Sequence, residues 1–113
     1  MVTTIRYDRD EMSLEITGHA GGGEAGHDII CAGISVLEQT LLRTLLDMER
    51  KGDGRAKWKH DTPGEAYIHF IPRPWARLKA QQGYEFTMLG LRMMAEQYPE
   101  NIRIEEENGN GMV

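Results

Sequence analysis

Cysteine is almost absent from this chain: Cys31 is the only one in 113 residues, which excludes an intrachain disulfide. A solitary cysteine is ordinarily a buried small hydrophobe, so its neighbours decide whether Cys31 is anything more. Long hydrophobic runs are missing too. Nothing approaches the roughly 18 consecutive apolar residues of a membrane-crossing helix, so no membrane association is expected. The opening MVTTIRYDRD has neither the basic nor the apolar region of a secretory leader, and a cytoplasmic location is the expectation. Basic charge is scarce as well. Lys and Arg number 13 against 18 Asp and Glu, for a net charge of −5. Nucleic-acid binding leans on a basic face, and the one candidate is PRPWARLK, with Arg73, Arg77 and Lys79, so no nucleic-acid partner is expected. Internal repeats, linkers and low-complexity stretches are lacking. The length suits a single domain over 1–113 with one modest core.

What is present has clear periodicity. Thr3, Ile5 and Tyr7, then Met12, Leu14 and Ile16, alternate with polar residues about the turn Asp8–Glu11, the pattern of a two-stranded hairpin. From Ile29 to Glu49, the residues Ile30, Ile34, Leu37, Leu41, Leu45 and Met48 recur at three- and four-residue steps and form one helical stripe. Asp28 stands where an N-cap belongs, and Gly52 and Gly54 close the helix. Lys57–His60 and Ala66–Ile71 read as a second strand pair around Asp61-Thr62-Pro63-Gly64, with His60 and His69 as plain strand positions. A second helix is expected from Trp75 to Tyr98 and a last strand from Asn101 to Glu105, leaving 106–113 as a tail. The order β-β-α-β-β-α-β predicts an α+β domain, a mixed or antiparallel sheet packed with two long helices.

On a helical wheel the second helix carries apolar residues on two sides. One stripe holds Trp75, Leu78, Phe86, Leu89 and Met93, the other Tyr84, Met88, Leu91, Met94 and Tyr98. A helix needs one stripe to pack on a sheet, so the second implies a covering surface, and a homodimer is the expectation.

The chemistry concentrates in GHAGGGEAGHDIICAGIS, residues 18–35. His19 ends a strand, Ala20, Gly21, Gly22, Gly23 and Gly26 make a glycine-rich loop, and Cys31 lies in the opening turn of a helix. Only a thiolate is nucleophilic, and the unpaired amides of a helix start lower a thiol's pKa. A histidine brought near it can take the thiol proton and return it to a leaving amine, and the same amides can hold an oxyanion. Cys31 falls on the flank of the apolar stripe, where a side chain stays reachable, with Ser35 one turn above it. Gly33 leaves the helix bare for a close approach. Two other readings of the same residues exist. His19, His27, Asp28 and Cys31 are all metal-ligand types, although their spacing matches no common short zinc motif. A non-enzymatic, ribosome-associated interaction module with an incidental Cys31 is the other.

Gly18-His19-Ala20, the glycine-bearing loop, Gly26-His27-Asp28-Ile29-Ile30-Cys31-Ala32-Gly33 and Ser35 resemble the signature of the ribosomal-processing cysteine protease family. The order of elements and the closing Glu100-Asn101-Ile102-Arg103-Ile104 extend the resemblance along most of the chain. The resemblance implies a homodimeric endopeptidase without metal or other cofactor. Its protein substrate would be a large-subunit ribosomal protein, trimmed of its N-terminal extension, or in a phage-encoded relative a capsid or scaffold protein. His19 would be the general base and Cys31 the nucleophile, with Asp28 and Ser35 in support. The stretch through Arg73–Gly83 is more basic and aromatic than the family pattern, which leaves the substrate open.

Overall fold

The computed structural model describes residues 2–18, 27–62 and 65–107. The alternating segments form β1 (Thr3–Asp8) and β2 (Ser13–Thr17), paired antiparallel with Ile5 opposite Ile16 and Tyr7 opposite Leu14. Asp8 Oδ1 accepts the amide of Glu11 at 3.1 Å, tightening the turn. Met12 adopts a left-handed φ of 54° there and turns its side chain into the core. Then come α1 (His27–Arg50), β3 (Gly54–Thr62), β4 (Glu65–Pro72), a short 3-10 turn (Pro74–Ala76), α2 (Arg77–Gln97) and β5 (Ile102–Glu107). The sheet order is β3-β4-β2-β1-β5, antiparallel except that β5 runs parallel to β1, hence mixed.

One face of the sheet packs against both helices. Ile5, Tyr7, Leu14, Ile16, Ile68, Phe70 and Ile102 point into it and are buried. The helices contribute Ile30, Ile34, Leu41, Leu45 and Met48 from α1 and Tyr84, Met88 and Leu91 from α2, each large apolar side chain worth about 1.5–3 kcal/mol when removed from water. Tyr84 stacks on Tyr7 with ring centroids 5.9 Å apart and donates its hydroxyl to the Ile68 carbonyl at 3.1 Å. Tyr7 donates to Glu85 Oε2 at 2.6 Å, and burial with that carboxylate raises the phenol above its usual range. Glycines set how closely the helices approach: a Cβ on Gly33 would lie 2.7 Å from Met94 Cε, and one on Gly90 2.7 Å from Leu37 Cδ2.

Several expectations shift. The strand pair is longer than Lys57–His60 and Ala66–Ile71, and β5 continues through Glu106 and Glu107, two residues into the expected tail; residues 108–113 lie outside the described residues. By length and composition alone the segment Ile29–Arg50 could cross a membrane, so the lack of an unbroken apolar run does not decide that point. Its sides differ, however: Ile30, Ile34, Leu41, Leu45 and Met48 are buried, while Gln39, Thr40, Arg43 and Thr44 face solvent. Of the two α2 stripes, the one with Tyr84, Met88 and Leu91 is core. The other remains open, with Trp75 72% and Phe86 71% exposed beside Leu78, Leu89 and Met93. The only tie from the preceding segment to this open side is Trp75 Nε1 donating to Asp53 Oδ1 at 3.1 Å, among the described residues.

Candidate active site

Cys31 sits near the start of α1 and is half-buried, flanked by the buried Ile30 and Ile34, while Ile29 and Ala32 face solvent. The helix begins at His27, two residues earlier than expected, which corrects the reading of Asp28 as N-cap: Asp28 is the second helical residue and Cys31 the fifth. The unpaired amides of the first turn therefore precede Cys31 by about 6 Å along the axis. Helical side chains lean toward the N-terminus, so the Cys31 side chain is directed back over that turn rather than away from it. Ser35 is half-buried one turn further on. Gly33 does not open the helix to a substrate as its bareness suggested; the Met94 side chain occupies that space.

His19, Ala20, Gly21, Gly22, Gly23 and Gly26 lie outside the described residues, and of His27 and Asp28 only the helical backbone is described. The described neighbours nevertheless fix which end of the fold this loop leaves from. Gly33 of α1 abuts Met94 of α2. The Met94 carbonyl accepts the amide of Tyr98, and the Tyr98 carbonyl accepts those of Asn101 at 3.0 Å and Ile102 at 3.2 Å. The Asn101 carbonyl accepts the Thr3 amide at 2.9 Å, and Thr3 Oγ1 donates to the Gly18 carbonyl at 3.1 Å. This chain of contacts runs from the turn carrying Cys31 to the residue that precedes His19. Gly18 has a φ of +88°, and a Cβ there would fall on the Val2 carbonyl oxygen, so this strand end admits glycine alone without strain.

Two residues escaped the sequence reading. Glu38 lies two turns beyond Cys31 on the same flank of α1, only 3% exposed. Its Oε1 stands 3.8 Å from Nε2 of His60 on β3, and among the described residues its Oε2 has no hydrogen-bond partner. Burial holds its carboxyl above the usual range, an effect partly offset by His60. The seven-residue step from Cys31 was a signal of a shared face, but a glutamate on a helix flank is ordinarily solvated. Among the described residues no group of three His, Cys, Asp or Glu side chains is placed to hold a metal. The ligand set His19, His27 and Cys31 reaches outside them.

The family model of cysteine protease Prp matches residues 1–103. The ribosomal processing cysteine protease Prp of Bacillus subtilis is 31% identical, aligned over 89% of this chain and 92% of its own length. Its Staphylococcus aureus counterpart is 30% identical over the same shares. Among solved structures, SMU.848 from Streptococcus mutans superposes with a TM-score of 0.69 at 28% identity, covering 94% of this chain and 92% of that one. The S. aureus Prp protease in complex with a substrate peptide gives 0.68 at 26%, covering 94% and 98%. A match over nearly the whole domain, with a cysteine near the start of the first long helix, has one consequence: the chain belongs to the cysteine protease Prp family.

Proposed function

We propose that this protease removes the N-terminal extension of a ribosomal protein by thiol chemistry at Cys31, with His19 as its general base. The Cys31 sulfur attacks the scissile carbonyl carbon, forming the S–C bond, while the oxygen takes up the negative charge beside the orphan amides of the first turn of α1. Collapse of this intermediate breaks the C–N bond, and His19 passes the former thiol proton to the departing amine. Water, deprotonated by the same histidine, then hydrolyses the thioester and restores the thiol. Asp28, one turn before Cys31, is suited to favour the protonated His19, and Ser35 to bind the substrate backbone. The loop Ala20–Gly23 with Gly26 closes over the bound peptide, its glycines permitting the turn.

The observation that carries this reading is the placement of Cys31: half-buried, near the helix start, at the fold end from which the His19 loop departs. The S. aureus Prp protease has been solved with a covalently linked product peptide, which is in keeping with a covalent route. A cytoplasmic homodimer is part of the same proposal, with the open α2 stripe as its contact. The test is cleavage of a ribosomal precursor bearing its extension. Cys31→Ala and His19→Ala each abolish cleavage with the fold intact by circular dichroism. Full cleavage by Cys31→Ala protein would refute the assignment.

A further inference from the structure

The flank of α1 that carries Cys31 carries Ser35 and Glu38 in line with it, and further on Leu42 and Glu49. This flank faces β3, the edge strand of the sheet. β3 runs back along α1, so that Ala56 donates its amide to Glu49 Oε2 at 3.3 Å and His60 lies against Glu38. The Ala56 amide thus points away from β4, and the alternation of an antiparallel ladder turns the Trp58 amide and carbonyl outward as well. The α1 flank thus meets this free edge with Cys31 toward the start of the helix and the Glu38–His60 pair two turns further along.

Glu38 is the anomaly on that flank. Its side chain is 4% exposed, and among the described residues its Oε2 has no hydrogen-bond partner and its Oε1 has an imidazole at 3.8 Å, beyond hydrogen-bonding distance. Among the described residues nothing donates a hydrogen bond to its Oε2. The helix-facing residues of β4 are Ala66, Ile68 and Phe70, those of α2 nearest α1 are Gly90 and Met94, and on α1 itself the neighbouring turns offer Ser35 and Leu42. A buried carboxyl oxygen without a donor bears the full desolvation cost of that group, and a functional role is one of the few explanations for its persistence. The covering side chain, His60, is itself 30% exposed, and at 3.8 Å it is not hydrogen-bonded to Glu38.

Resting on the protease reading, we propose that Glu38 is a specificity-determining residue that binds a basic side chain of the substrate, third from the scissile bond, after His60 swings aside. The register follows from length. Glu38 is about 10 Å along the helix axis from Cys31. An extended peptide advances about 3.3 Å per residue, so the third residue on one side of the bond lies opposite Glu38. Lysine or arginine at that position supplies the missing donor and the charge, and an uncharged side chain of equal length leaves Oε2 unpaired.

A positional-scanning peptide library tests this, with lysine and its uncharged isostere norleucine compared at each position. The wild-type enzyme locates the bond that is cleaved, and the Cys31→Ala protein reports binding without turnover. The expected result is a preference of about 10- to 100-fold for lysine at one third position, the worth of a charge-assisted hydrogen bond. Glu38→Gln in the Cys31→Ala background abolishes it, and His60→Ala, which uncovers the carboxylate, preserves it. A thermal melt of each variant establishes that it is folded. Equal binding of both peptides, or a preference that survives Glu38→Gln, overturns the subsite while leaving the protease standing if the wild type cleaves. A wild type that cleaves no member of the library overturns both.

Discussion

Gly18 and Gly52 provide a matched pair for separating backbone strain from steric contact. Both have left-handed φ, +88° and +86°. Gly52 closes α1: the Asp53 amide bonds the Met48 carbonyl at 2.9 Å and the Gly52 amide that of Glu49 at 3.0 Å, and a Cβ on Gly52 meets nothing within 4 Å. A Cβ on Gly18 would land on the Val2 carbonyl oxygen and approach Thr3 Cα to 3.3 Å, all backbone that cannot rotate away. Gly52→Ala therefore costs the conformational term alone, about 1–2 kcal/mol, less about 0.4–1 kcal/mol regained from the stiffer unfolded chain. Gly18→Ala bears the same terms plus an overpacking cost of about 1–3 kcal/mol. Urea unfolding should show a loss of about 1 kcal/mol or less for Gly52→Ala and about 2–4 kcal/mol for Gly18→Ala, with unchanged slopes. Since His19 follows Gly18 directly, relief of the contact displaces the histidine, and kcat/KM falls in Gly18→Ala even where both variants are fully folded. Equal stability losses in the two variants would refute the steric argument, and unchanged kcat/KM in a folded Gly18→Ala would refute the link to His19.

Two helical glycines make a second contrast. Gly83→Ala should stabilise by up to about 1 kcal/mol through helix propensity, because its new Cβ meets only Leu41 Cδ1 at an ordinary 3.7 Å, whereas Gly90→Ala drives a Cβ against Leu37 and should destabilise; thermal melts check both. Glu38→Gln should gain stability relative to wild type as pH rises from acid to neutral. The raised carboxyl of Glu38 binds its proton more tightly when folded, so its stability contribution is present at low pH and lost as pH rises through the folded value. A gain that is constant with pH in urea titrations contradicts this. For the dimer, Phe86→Glu or Leu89→Glu should give a folded monomer near 12.8 kDa by light scattering. Met88→Glu and Leu91→Glu should instead unfold the chain, since both residues are fully buried in the protomer's own core.

Those last two positions also show where the sequence was legible and where it was not. The strand alternation of Ile5, Tyr7, Leu14 and Ile16 and the α1 stripe follow from local periodicity, so one-dimensional pattern was enough to find the hairpin, both helices and a sheet, mixed or antiparallel, of which the structure selects mixed through the parallel β1–β5 pair. Periodicity also found both apolar stripes of α2. It did not say which one the sheet would take, because that depends on the rotation of α2 about its own axis. Gly90 against Leu37 and Gly33 against Met94 set that rotation, and each pairs residues more than fifty positions apart in sequence. The same limit governs the site. Cys31 near a helix start is a local feature and was legible from its neighbours, whereas His19 lies outside the described residues. Asp28 was misplaced by two residues because capping preference alone cannot register a helix to a residue.

Glu38 is the harder case, and its illegibility has a physical reason. A glutamate on the margin of an apolar stripe normally snorkels or faces water, at a cost near zero. Burial here arises because β3 returns antiparallel to α1 and places His60 over the carboxylate, a tertiary event invisible to any local window. That return also covers the flank of α1 that Glu38 shares with Cys31. A residue that violates the local rule for its type has, among the described residues, no donor for its Oε2 and only the imidazole of His60 near its Oε1. Consistency across levels makes a folded sequence, and departures concentrate where function is paid for. On that reasoning the orphan oxygen of Glu38 marks substrate recognition. Replacing it with the isosteric glutamine should alter which peptides bind more than how firmly the protein folds.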